Sequence, residues 1–178
     1  MTSHHDSDLR GMIRRHPWQI TYWLFGAFFF LLATLRIGFI VWGGETITFD
    51  GEAWRRFGSH VLDGATPYSD VTDNKPPLWL GIATVAVWLD AFAPMMLYVV
   101  AGANAIIVYL LGTTLDDQYG SLAGVVGAAT VLLLLSRFGF YINNKSLAVA
   151  LALLATRTDR PAISGLLIGA GFGIAQYV

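Results

Sequence analysis

The chain has no cysteine, so neither a disulfide nor a thiolate metal site is open to it. It is also poor in charge. Asp, Glu, Lys and Arg make up 13% of its 178 residues, against roughly 25% in an ordinary soluble domain. The charge that remains nearly cancels, at a net −1, which gives no reason to expect nucleic acid as a partner. Lysine is scarcest: Lys75 and Lys145 stand against nine arginines. What fills the sequence is apolar, with 55% hydrophobic residues and a mean hydropathy of +0.57. Such a composition implies a membrane protein whose partner is the lipid bilayer.

Residues 1–17, "MTSHHDSDLRGMIRRHP", read as a cytoplasmic basic tail. Its adjacent His4 and His5 fall short of the three or four ligands a metal site needs. Residues 18–42 read as the first transmembrane helix. Trp18 and Trp42 suit the two interfacial belts, and Arg10, Arg14 and Arg15 hold the N-terminus in the cytoplasm. The run is long and lacks a small-residue cleavage site, so a retained helix is expected rather than a signal peptide. Arg36, near its outer end, can snorkel to the interface or bind an anionic group, the first being the simpler role.

Residues 43–94 are expected to form an outer loop, and 95–178 further transmembrane helices. "MMLYVVAGANAIIVYLLGTTL" (95–115) and "SLAGVVGAATVLLLLSRFGFY" (121–141) each read as a full span, parted by the polar turn "DDQYG". Glycines 102, 112, 120, 124 and 127 suit close helix packing there. "PPLWLGIATVAVWLD" (76–90) is short for a span, which needs about 20 residues. If it crossed, the basic loop "TRTDRP" (156–161) would fall outside. If it only dips into the outer leaflet, that loop falls inside, as the positive-inside rule prefers. Dipping is therefore expected, and it leaves "YINNK" (141–145) outside. The fold class expected is all-α: a polytopic membrane helix bundle whose outer juxtamembrane loop carries amphipathic and membrane-dipping helices. Because the chain stops within an apolar segment, it is expected to be the front part of a larger bundle.

Charge concentrates in one island, "ITFDGEAWRRFGSHVLDGATPYSDVTDNKPPLWL" (47–80). "DGEAWRRFGSHVLDG" has the spacing of a short amphipathic helix, with Trp54, Phe57, Val61 and Leu62 on one face and Arg55, Arg56, Ser59 and Asp63 opposite. Such a helix would lie along the outer membrane surface. Asp50 can cap its start, or serve as a base toward an acceptor hydroxyl. Lys75, at the mouth of an apolar segment, is placed to meet a lipid-linked phosphate, with Arg55 and Arg56 as helpers. Turns follow from Gly64 and Pro67, and again from Pro76 and Pro77.

The stretch 48–80 resembles the first outer loop of the GT-C-type membrane glycosyltransferases, which include the dolichyl-phosphate-mannose protein mannosyltransferases and the aminoarabinose transferases. It shares their acidic residue after the first span (Asp50), then "G-x-x-P-Y-x-D" (Gly64, Pro67, Tyr68, Asp70), then "K-P-P-L" (Lys75 to Leu78). The resemblance implies inverting sugar transfer from a polyprenyl-phosphate-linked donor to an acceptor on the outer face. Asp50 would be the carboxylate that activates the acceptor or helps hold a divalent metal ion. Lys75 would lie near the donor phosphate, and Tyr68, Asp70 and Asp73 would shape the loop. Many relatives carry a second acidic residue in the next outer loop, where this chain has Asn143 and Asn144. Amides can bind a hydroxyl or a metal but cannot act as bases. Two other readings stay open: a non-catalytic or degenerate membrane subunit with the same fold and, less favoured because the spans are nearly uncharged, a transporter.

Overall fold

The computed structural model describes residues 18–44, 47–71, 76–138 and 141–175. Among the described residues the chain is all-helical, without a strand. Two helices, α1 (Gln19–Gly43) and α4 (Phe92–Tyr119), are long and apolar enough to cross a membrane. Their 25 and 28 residues correspond to ~37 and ~42 Å, beyond the ~30 Å of a hydrocarbon core. Shorter helices complete the order: α2 (Phe49–Leu62), α3 (Pro77–Trp88), α5 (Ser121–Phe138), α6 (Lys145–Ala155) and α7 (Pro161–Phe172). The region 121–141, expected as a full span, holds an 18-residue helix of only ~27 Å.

α1 and α4 pack antiparallel. Tyr22 donates to an Asp116 carboxylate oxygen at 3.3 Å, Trp23 meets Tyr109, and the Thr34 hydroxyl lies 3.1 Å from that of Tyr98. The pairing therefore runs from 22 with 116 to 34 with 98. It places the start of α4 at the same end of the bundle as the close of α1. Segment 44–91 thus begins and ends on one side, and α3, with 12 residues or ~18 Å, need not cross anything.

"DDQYG" is not the turn expected between two spans. Asp116, Asp117 and Tyr119 belong to the last turn of α4, and Gly120 alone, at φ +88°, links it to α5. The acidic residues can stay helical because their oxygens are used locally. Asp116 accepts from Tyr22 and from the Ser121 hydroxyl at 2.9 Å, and Asp117 lies 3.8 Å from the Arg157 guanidinium. Arg157 also donates to the Leu110 carbonyl and to the Thr113 and Thr114 hydroxyls. The basic loop before α7 is thereby pinned at the end where α1 starts.

The core around α4 contains one polar exception that sequence reading passed over. Asn104 is fully buried, and neither its amide nitrogen nor its oxygen has a partner among the described residues. An orphaned buried amide costs its full desolvation, about 1–3 kcal/mol. Asn104→Leu is expected to raise stability by that amount, read as a higher unfolding midpoint in detergent; a lower midpoint would show that Asn104 has a partner in the assembled protein.

Candidate functional site

The island folds as an amphipathic helix, but its start differs from expectation. Thr48, not Asp50, is the N-cap: its backbone is extended and its hydroxyl accepts from the Gly51 N–H at 3.4 Å. The hydroxyl's shorter reach suits the cap position, so Asp50 falls inside the first turn. There its carboxylate is exposed and has no partner among the described residues. Glu52, from the same turn, behaves otherwise. It receives Arg55 through two nitrogens at 2.9 and 2.7 Å and Arg56 at 3.2 Å. Chiefly through the Arg55 hydrogen bonds, its carboxyl is held at about 2, down from 4.5, and the Arg55 guanidinium is raised in turn. Both arginines proposed from sequence to meet a donor phosphate are thus already tied to a carboxylate. A partner so exposed adds little stability, and it offsets one of their two positive charges.

The apolar face of α2 packs against α3. Trp54 and Trp79, 2% and 0% exposed, meet edge to face at 5.1 Å. Further along, the absence of a side chain on Gly58 lets α3 approach, since a methyl there would sit 3.1 Å from the Thr84 Cα. Leu62 departs from that face and is exposed. α2 and α3 therefore run side by side in the same sense, and their starts lie together.

α2 closes with a Schellman motif, in which Ala65 N–H donates to the His60 carbonyl and Gly64 N–H to that of Val61, with Gly64 at φ +96°. In the turn beyond, an Asp70 carboxylate oxygen accepts from the Thr66 N–H at 2.8 Å. Tyr68 holds a positive φ of 65°, its ring 6.2 Å from Phe57. Asp73 and Lys75 lie outside the described residues. Immediately after Lys75, Pro76 is buried and extended, Pro77 opens α3 at its first position, and Leu78 N–H donates to the Gly173 carbonyl at 3.0 Å.

The 141–144 turn reaches the same place. A methyl on Gly51 would lie 3.5 Å from Ile142. Asn144 donates from its amide nitrogen to the Ile174 carbonyl at 2.7 Å, one residue beyond the Leu78 contact. Asn143 holds its own turn: its side-chain oxygen accepts from Ser146 N–H at 3.0 Å, and its nitrogen donates to the Tyr141 carbonyl. The structure brings together the start of α2 with Asp50, the proline-led start of α3, and the Asn143–Asn144 turn. A cavity of about 150 Å³ lies beside them, lined by Arg36, Thr48, Leu97 and Tyr141 among others. Arg36 therefore points its chemistry at this region whichever of its two expected roles it takes.

The metal expected beside Asp50 would be a hard divalent cation. Such ions take about six oxygen ligands. Among the described residues no group of three or more His, Asp or Glu converges; Asp50 stands alone, Glu52 is held by arginines, and the Asn143 oxygen caps a turn. No protein-family model, curated protein or solved structure matches the chain.

Proposed function

We propose that this chain is a membrane glycosyltransferase of the GT-C type, moving a sugar from a polyprenyl-phosphate-linked donor to an acceptor hydroxyl at the outer face. The observation that supports the reading is convergence: three pieces far apart in sequence, at residues 50, 76–78 and 142–144, share one locality. In this reading Asp50 takes the proton of the acceptor hydroxyl as its oxygen bonds to the anomeric carbon. The bond from that carbon to the phosphate oxygen breaks, and polyprenyl phosphate leaves with the electron pair. Attack opposite the leaving group inverts the anomeric centre. Lys75, next to Pro76, supplies a cation toward the departing phosphate.

The second reading, a non-catalytic subunit keeping this fold, is favoured by one feature. The second loop offers two amides, both engaged in holding backbone, where a second carboxylate would be wanted. The two readings separate in an assay of membranes containing the protein, supplied with a polyprenyl-phosphate-linked sugar. Transfer of the sugar supports the first; no transfer to protein, lipid or glycan acceptors leaves the second.

Membrane embedding in the proposed sense, a polytopic bundle with a cytoplasmic N-terminus, rests on α1 and α4 and has its own test. Because the chain lacks cysteine, single cysteines report cleanly. Leu89→Cys is expected to react with an impermeant maleimide in intact cells, and Asp159→Cys only after lysis. The reverse pattern, Asp159→Cys reacting in intact cells and Leu89→Cys only after lysis, would overturn the dipping arrangement of α3.

A further inference from the structure

A groove of about 330 Å³ runs between α5 and α6 over the middle of α4. Its floor and walls are aliphatic: Ile107, Leu134, Leu135 and Val149. One mouth is polar, formed by Tyr141 and Lys145. Lys145 is exposed, has no ion-pair or hydrogen-bond partner among the described residues, and stands at the first position of α6. A cation there is disfavoured, because the first turn of a helix already carries partial positive charge. Both features make that mouth electropositive, and among the described residues no Asp or Glu lines the groove to balance it. The volume is at the low end for a small-molecule site, enough for one hydrocarbon chain rather than two. Leu134 is 53% exposed, so the groove opens onto apolar surface that a second chain would also find.

We propose that this groove is a binding site for an anionic phospholipid of the surrounding bilayer, with one acyl chain between α5 and α6 and its phosphate on the Lys145 ammonium. Apolar trough and cationic mouth together call for an amphiphile with a negative head; a neutral lipid would leave the lysine uncompensated, and a free anion would leave the trough empty. The inference rests on the membrane part of the reading above and not on sugar transfer.

The test uses the full chain in phosphatidylcholine nanodiscs doped with a phosphatidic acid whose acyl chain carries a photoactivatable group. Labelling is expected to concentrate in residues 131–138 and 145–153. Lys145→Ala should lower it about tenfold, equivalent to ~1.4 kcal/mol, and Val149→Phe should lower it by filling the trough. Leu31→Phe, on the exposed face of α1, should leave it unchanged. Excess phosphatidylglycerol should compete, and phosphatidylcholine should not. Labelling unaffected by Lys145→Ala, or spread evenly over α1, overturns the site. Competition by inorganic phosphate makes it a free-anion site, and competition by an isoprenyl phosphate without phosphatidylglycerol hands it to the donor; each overturns the proposal. So do crosslinks joining two copies through α5 and α6. Failure of the chain to insert sinks the membrane reading and the lipid site together, whereas insertion without labelling sinks the lipid site alone.

Discussion

Asp50→Asn is expected to lower sugar transfer about 10²- to 10⁴-fold, the usual contribution of a general base. That range corresponds to ~2.7–5.5 kcal/mol of activation free energy. Asparagine keeps the shape and can still hydrogen-bond, but it cannot take a proton at neutral pH. The geometry makes the variant informative, because Asp50 has no structural duty to confuse the result. Thr48 caps α2, and the Asp50 carboxylate is exposed without a partner among the described residues. Its unfolding midpoint should therefore match that of the parent protein. Glu52→Gln is the matched control: it removes a carboxylate two residues away that holds Arg55 and Arg56, and transfer should persist. Full activity in Asp50→Asn would end the assignment of a base at this position and leave the non-catalytic reading.

Gly124→Leu should destabilise the bundle by at least ~3 kcal/mol, the upper end of over-packing. A Cβ at this position would run into the Tyr22 hydroxyl while lying 2.8 Å from the Gly112 carbonyl oxygen and 2.9 Å from the Asp116 Cβ. Two of those obstacles belong to the backbone or its first side-chain atom, which cannot swing away. The third is the hydroxyl that bonds Asp116, so relieving the clash breaks a link between α1 and α4. Gly165→Leu, in α7, provides the contrast. Nothing lies within 4 Å of its added carbon, and the change should stay within about 0.5 kcal/mol. Unfolding midpoints in detergent give both values. Similar midpoints for the two variants would mean that α1, α4 and α5 do not meet at Gly124.

Much of the site was legible because local chemistry specifies it. The island's helix follows from the spacing of Trp54 and Phe57, and the turns after it from Gly64 and Pro67. Pro77 at the first position of α3 is a choice made by a fixed φ and a missing N–H. The errors came where two local choices were nearly equal. Thr48 and Asp50 are both good caps, and only the geometry of entry into α2 selects the threonine. "DDQYG" looks like a turn by composition, yet partners from α1, α5 and the 156–160 loop let its carboxylates remain helical. Asn104 could have been noticed as the one amide inside an otherwise apolar run; that it is orphaned could not.

What the sequence determined by itself is an apolar, all-helical chain with its charge gathered into one segment, since hydropathy and helix spacing act over a few neighbouring residues. The meeting of Gly51 with Ile142, of Leu78 with Gly173 and of Asn144 with Ile174 was decided only in three dimensions. Those contacts join residues up to about a hundred positions apart. They form because glycines let particular helices approach and because backbone groups freed at helix ends must find partners wherever packing brings them.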